Sequence, residues 1–142
     1  MTITDPYNLQ RFIDAQRGSY QQAVMELTTG HKQSHWMWYI FPQIQGLGRS
    51  SMAQRYAISS LDEAKAYLDH PILGPRLGEC TGRVIAVSNS TIEDILGHPD
   101  DLKFHSSMTL FAHAAADNQI FIDALKKYFR AEFDNATIAR LR

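Results

Sequence analysis

The sequence predicts a single all-α domain of about six to eight helices that spans residues 1–142. Apolar residues recur at steps of three and four along most of the chain, which is the spacing of one helical face. Signals for helix starts and stops divide these stripes into segments of helical length. The sequence lacks alternating strand patterns and the Asn-Gly or Asp-Gly turns that are typical of hairpins. Its hydrophobic content of 44% supplies the apolar surface that one core requires.

The N-terminal third predicts two helices followed by a short one. Asp5-Pro6 can supply the cap and the first residue of the first helix. Gly18-Ser19 interrupts the apolar stripe, so we expect a kink or a break there, and Gly30 is expected to end the second helix. Ser34 as a cap and Pro42 as a stop predict a short buried helix between them.

The middle of the chain predicts a short helix and a longer one. The spacing of Ser60 and Glu63 is that of a capping box, which predicts a helix to about residue 69 that ends before His70-Pro71. An apolar stripe then predicts a longer helix over about 75–87. Residues 84–87 are β-prone, so a strand there is the alternative.

The C-terminal third predicts a very short helix and then three more. Ser90-Thr91-Ile92-Glu93 repeats the capping-box pattern, and Gly97 supplies a stop. Pro99 can open the next helix, which carries an apolar stripe from 104 to 115. Asp117-Asn118 can cap a further helix, and the apolar spacing over 133–141 suggests a terminal one.

Composition excludes several broad classes of function. With 14 basic and 15 acidic residues, the net charge of −1 gives no general attraction to nucleic acid or anionic lipid. The N-terminus lacks a secretory signal pattern, and no apolar run reaches the length of a membrane span. Cys80 is the single cysteine, which excludes an internal disulfide and fits a reducing compartment, so we expect a cytoplasmic protein. The spacing of the six histidines predicts no metal site, and no cofactor is predicted.

The segment between Leu27 and Leu61 combines positive charge with aromatic side chains. It contains no Asp or Glu, three Lys or Arg residues and five of the chain's fifteen aromatic residues. This combination favours an anionic, ring-bearing ligand through charge attraction and stacking. The alternative is that its aromatic residues are core and its cations are solvated. The candidate ligand-binding residues are Trp36, Trp38, Gln43, Gly46, Gly48, Arg49 and Arg55.

A glycine-containing loop precedes the helix expected near residues 52–56. Gly46 and Gly48 allow the backbone to approach a ligand closely, and Arg49 can make a two-pronged contact with phosphate or carboxylate. The loop is not a Walker motif, because the Gly-Lys-Ser/Thr ending is missing. An ordinary turn is the alternative reading of this loop.

Three residues are candidates for catalysis. His35 lies at the expected start of the short buried helix, where an imidazole can act as a base or as a hydrogen-bond partner. Lys103 and Ser107 share one face of the Pro99 helix, which is the arrangement of a lysine-activated serine. Because Asp100 lies on the same face, an ordinary Asp100–Lys103 surface pair is the alternative. Whether the protein is an enzyme stays open.

Several blocks of sequence also resemble a known family. They are residues 5–12, 32–43 with the run Ser34-His35-Trp36-Met37-Trp38, 46–48, 70–77 and 100–111. In these blocks the chain resembles the bacterial domain-of-unknown-function family 1810. The resemblance implies a helical fold and carries no assigned activity or catalytic residue. Members are often labelled calpastatin, but a calpastatin is an extended disordered inhibitor, whereas this composition is that of a packed domain.

The sequence therefore predicts a cytoplasmic all-α domain that binds a small anionic, nucleotide-like metabolite through the segment from His35 to Arg55, with Lys103 and Ser107 completing the pocket. The alternative is a non-catalytic protein-interaction module. A pocket lined jointly by His35, Arg49 and Lys103 would favour the ligand. The sequence does not indicate an oligomeric state.

Overall fold

The computed structural model describes residues 4–141, and this part of the chain is all-α, as predicted. It contains ten helices, of which six have seven or more residues. Within residues 4–141 the chain forms no strand, although one parallel bridge joins Ile44 to Ile58. No helix in this range is both long and apolar enough to cross a membrane. The helices are α1 (Gln10–Arg17), α2 (Tyr20–Thr29), α3 (Met37–Ile40), α4 (Ser51–Arg55), α5 (Leu61–Asp69), α6 (Leu73–Ala86), α7 (Ile92–Leu96), α8 (Asp100–Ala114), α9 (Gln119–Phe129) and α10 (Asn135–Arg140).

Helix α8 forms the centre of the single hydrophobic core. All residues from 106 to 112 are buried, because α5, α7, α9 and α10 pack around this helix. Phe104 meets Phe41 edge-on at 5.0 Å between ring centroids, and Phe111 lies 5.4 Å from the ring of Tyr67. Such aromatic pairs add about 0.5–1.5 kcal/mol each to the burial of their surface. The first turns of α8 are consequently held in a fixed position against α3 and the loop that follows it.

The first helix begins later than the sequence predicted. Asp5 does act as a capping residue, but its carboxylate accepts hydrogen bonds from the amides of Leu9 and Gln10, at 2.8 and 2.9 Å. Asn8 has a left-handed backbone with φ of 52°, so a helix cannot continue through it from Pro6. The expected break at Gly18-Ser19 is confirmed, since α1 ends at Arg17 and α2 begins at Tyr20.

The predicted capping box before α5 is half formed. Ser60 accepts a hydrogen bond from the Glu63 amide at 3.1 Å, as expected. The Glu63 side chain, however, accepts from the amide and hydroxyl of Ser59 and pairs with Arg11 at 2.8 Å instead of reaching back to Ser60. Glu63 therefore joins α5 to α1 in addition to starting α5.

Two further boundaries differ from the prediction. Helix α6 begins at Leu73, two residues before Pro75, because the His70 imidazole accepts from the amides at 72 and 73. The strand alternative at 84–87 is wrong, since α6 continues to Ala86. Before α7 the capping box is made by Thr91 and Asp94 rather than by Ser90 and Glu93. This register turns the apolar residues of α7 toward the core.

The last helix is tied to the central one by a polar network. Asp134 caps α10 and its Oδ2 atom accepts from the Thr137 hydroxyl at 2.6 Å. The same oxygen accepts from the Ser106 hydroxyl of α8 at 2.9 Å, and the Asp134 amide donates to Thr109 at 2.9 Å. Since Thr137 is fully buried, these bonds hold α10 firmly beside the middle of α8.

Candidate functional site

A buried carboxylate organises the segment that leads into α3. Glu26 is 4% exposed, and its Oε1 atom accepts from the amides of Gln33 and Ser34 and from the Trp36 indole, at 2.8, 2.9 and 3.0 Å. Burial by itself raises the pKa of Glu26, but hydrogen bonds from Ser34, Gln33 and Gln22 outweigh this effect and hold its pKa at about 2. The Ser34 hydroxyl donates to Glu26 at 2.6 Å, so it does not cap α3 as predicted.

Two lysines share one carboxylate beside the two tryptophans. Lys32 Nζ lies 2.9 Å from Asp100 Oδ2, and Lys103 Nζ lies 3.3 Å from Asp100 Oδ1. The Lys32 ammonium is 5.2 Å from the centre of the Trp36 ring, and the Lys103 ammonium is 5.3 Å from that of Trp38. The Lys32 side chain is 9% exposed, whereas that of Lys103 is 26% exposed. The cluster therefore has an excess of one positive charge, and solvent reaches it at Lys103.

The loop from 43 to 48 is fixed at its base and packed closely at its end. The Ile58 amide donates to the Gln43 carbonyl, and the Gln45 amide donates to the Ile58 carbonyl, both at 2.8 Å. A Cβ atom on Gly48 would lie 2.4 Å from Cβ of Ala53, so the loop can pack on α4 this closely only with glycine at this position. Close packing of the loop on α4 is therefore enough to explain the glycine at position 48, as the interpretation of this loop as an ordinary turn implies.

Two cavities lie on either side of this loop. The first, which we call the loop cavity, has a volume of about 380 Å³ and lies between the loop and α4, with Gly46 in its wall. The second, which we call the helix cavity, has a volume of about 310 Å³ and lies between the loop, the start of α8 and α10, with Lys103 in its wall. Gln43 and Gly48 line both cavities, so the two are neighbours across the loop.

The structure brings together some of the predicted ligand-binding residues. Gln43, Gly46 and Gly48 line the cavities, and Lys103 joins them from α8. The ring of Trp38 lies under Lys103. These residues form the candidate site.

Comparison with known proteins agrees with this fold. A family profile described as "Protein of unknown function (DUF1810)" matches residues 6–141. The chain belongs to the DUF1810 family. A crystal structure of the conserved hypothetical protein Rv1873 from Mycobacterium tuberculosis is 55% identical to this DUF1810 chain, with a TM-score of 0.95 over 96% of this chain and 98% of that one. A search among curated proteins returns no match.

Other predicted residues of this DUF1810 chain lie outside the candidate site. His35, Arg49 and Arg55 are exposed, and none of them lines either cavity. The Arg55 guanidinium lies over the ring of Tyr56, 5.5 Å from its centre. Trp36 is fully buried, so its ring has no free face on which a ligand could stack. The joint pocket of His35, Arg49 and Lys103 that would favour a ligand is therefore not formed by these cavities.

The candidate lysine-activated serine is not assembled either. Ser107 is fully buried, and its hydroxyl has no hydrogen-bond partner among the described residues. Lys103, one turn earlier on α8, pairs with Asp100, as the alternative predicted.

The sequence analysis did not identify Arg140 as a neighbour of the loop, and it did not predict the pairing of Lys32 with Asp100. Arg140 of α10 lies against Gly46, because a Cβ atom built on Gly46 would be 2.4 Å from an Arg140 guanidinium nitrogen. Lys32 pairs with Asp100 across 68 positions of sequence. No local pattern reports contacts over such separations, and the resemblance blocks do not include residue 140.

Proposed function

We propose that this protein binds a small anionic, nucleotide-like metabolite in the helix cavity. The observation that supports the proposal is the Lys103 ammonium, which is partly exposed, lines this cavity and shares its only carboxylate partner within residues 4–141 with Lys32. A cation that is only half neutralised, at the edge of a low-dielectric protein surface, attracts an anion more strongly than a fully paired one.

The Trp38 ring strengthens this case. It holds the Lys103 ammonium by a cation–π contact, which leaves fewer positions for the long lysine side chain to occupy. A side chain that is ordered before binding loses less entropy when a ligand arrives. Lys103 is thus a pre-positioned anion contact.

One part of the helix cavity suits the ring of such a ligand, while another part is lined by Asp134, whose carboxylate accepts hydrogen bonds from Ser106 and Thr137. Leu102 is 55% exposed and lines the cavity together with Leu47 and Pro99. These side chains provide an apolar surface against which a planar ring can pack. Gln43 offers an amide group in the same cavity for hydrogen bonds to ring or sugar atoms.

The proposal is one of binding and includes no reaction. Lys103 is an ammonium paired with Asp100, and Ser107 is buried without a partner, so neither has the geometry of an activated nucleophile. We also propose a cytoplasmic location, supported by the buried, unpaired Cys80 thiol.

A ligand screen by thermal shift tests the proposal. A ligand present at 100 times its Kd stabilises the folded state by about 2.7 kcal/mol, which raises the Tm of a domain of this size by about 9 °C. We expect adenosine and guanosine monophosphates to raise the Tm, and inorganic phosphate or the free nucleosides to have a smaller effect. The shift should decrease with added salt, because salt screens the charge attraction.

A matched pair of variants locates the site. Lys103→Gln should lower the affinity for a nucleotide found in the screen by about 10- to 100-fold, since a charge-assisted contact contributes about 1.5–3 kcal/mol. Lys126→Gln removes an exposed lysine of α9 that lies outside the helix cavity, and it should bind the same nucleotide like the parent protein. Equal affinity of the Lys103→Gln variant and the parent would contradict the proposed site. If no anionic metabolite shifts the Tm, the protein-interaction module becomes the better explanation.

A further inference from the structure

The second cation at the loop defines the chemistry of the ligand more closely, and this inference rests on the function proposed above. We infer that Arg140 is a second anion-contacting residue, so that the ligand carries two phosphoryl groups, one at Lys103 in the helix cavity and one at Arg140 beside the loop cavity. The shared chemistry is a nucleoside with two phosphoryl groups.

Arg140 presents an unused guanidinium group to the loop. Its guanidinium lies directly over Gly46, where a Cβ atom would be 2.4 Å from Nη1 and 2.6 Å from Cζ. Within residues 4–141 the Arg140 side chain has no ion-pair partner and no hydrogen-bond partner, although the guanidinium has five N–H donors. A guanidinium with free donors in a planar fork is suited to two-pronged contact with phosphate.

The position of Arg140 is set by the fold. Helix α10 is held on α8 by the Asp134 network described above, and Thr137, one turn before Arg140, is fully buried. Gly46 has φ of 99°, a conformation that turns its bare Cα surface toward α10. Any larger residue at position 46 would occupy the space in which the guanidinium lies. The loop thus accommodates the cation by lacking a side chain there.

The two cations flank one continuous stretch of loop. Lys103 lines the helix cavity, Arg140 covers a wall residue of the loop cavity, and the two cavities share Gln43 and Gly48. Asp100 is shared by the two lysines, and Asp134, which also lines the helix cavity, accepts hydrogen bonds from Ser106 and Thr137. A phosphate held at Lys103 lies across the loop from Arg140, so it leaves the guanidinium without an anionic partner. A second phosphoryl group on the same ligand supplies that partner.

Isothermal titration of three probes tests the inference. The probes are AMP, with one phosphate, ADP, with two adjacent phosphates, and adenosine 3′,5′-bisphosphate, with two separate ones. We expect at least one of the two doubly phosphorylated probes to bind 10-fold or more tightly than AMP, and the preferred one identifies the arrangement of the two groups. Arg140→Gln should lower the affinity for that probe to the affinity for AMP. It should change the affinity for AMP itself by no more than about twofold.

Three further variants complete the experiment. Lys103→Gln should weaken all three probes. Arg140→Lys should recover part of the loss, because an ammonium keeps the charge without the planar fork. Arg83→Gln removes an exposed arginine of α6 that lines neither cavity, and it should match the parent. The Tm of each variant without ligand shows that it is folded.

The outcomes separate this inference from the proposed function. If Lys103→Gln weakens the binding of AMP but the second phosphoryl group raises the affinity less than threefold, the inference is wrong and the proposed function stands. The same holds if Arg140→Gln weakens AMP and the doubly phosphorylated probes equally. If none of the three probes binds the parent protein, both are overturned.

Discussion

Replacement of Glu26 by Gln probes the carboxylate that organises the approach to the candidate site. The Glu26 side chain accepts five hydrogen bonds, from two backbone amides and from the side chains of Gln22, Ser34 and Trp36. A glutamine has nearly the same shape, and its carbonyl oxygen can keep the three bonds made to Oε1. The substitution therefore removes the negative charge without leaving a cavity.

The pKa of Glu26 gives the magnitude of the effect. Its pKa is lowered from an ordinary value of 4.5 to about 2 in the folded protein. At 1.36 kcal/mol per pKa unit, the ionised carboxylate contributes about 3 kcal/mol to the free energy of unfolding at pH 7. Because the folded-state pKa is the lower one, this contribution is complete above pH 4.5 and is lost as the pH falls toward 2. Near pH 3 about half of it remains.

Urea denaturation at pH 7 and at pH 3 measures the effect. We expect Glu26→Gln to lower the free energy of unfolding by about 3 kcal/mol at pH 7 and by roughly half as much at pH 3. Glu132→Gln, at an exposed position, is the matched control and should show neither effect. A cost below 1 kcal/mol at pH 7, or a cost of the same size at both pH values, would refute the reasoning.

Three other substitutions and modifications test separate parts of the structure. Trp36→Ala should cost about 3–5 kcal/mol in urea denaturation, because the ring is fully buried, and retained stability would contradict its place in the core. Gly46→Ala should cost about 1–2 kcal/mol and lower the Tm, since φ is 99° there, whereas Gly78→Ala in α6, with open space around it, should be neutral or stabilising. Burial raises the pKa of the Cys80 thiol to about 12, so a thiol reagent at pH 8 should modify Cys80 only after unfolding, and fast labelling of the native protein would contradict its burial.

Sequence predicted the helices best where the deciding contacts are local. Ser60 caps α5 through an amide three residues away, and Gly30 ends α2 by adopting a left-handed backbone. The start of α7 shows where this reasoning fails. Ser90 and Glu93 have the same spacing as Thr91 and Asp94, and the choice between these two boxes depends on which register buries the apolar residues of α7.

The candidate site was predicted only in part for a related reason. The glycine loop and Lys103 were found from residue type and spacing. The backbone freedom of glycine and the charge of lysine are properties of the residues themselves and do not depend on distant contacts. Ser34 was misread as a cap because its actual partner, Glu26, lies eight positions away on another helix. Arg140 meets Gly46 across 94 positions, and only the packing of α10 on α8 brings them together.

The bridge between Ile44 and Ile58 bears on the kinetics of ligand capture. Two backbone hydrogen bonds close the chain into a ring at this point, and both isoleucines are buried in the core. Opening the loop as a hinge would break both bonds and expose both side chains, which makes such a motion rare. If the protein binds a ligand as we propose, the cleft already has its binding shape, and we expect association in a single step whose observed rate rises linearly with ligand concentration.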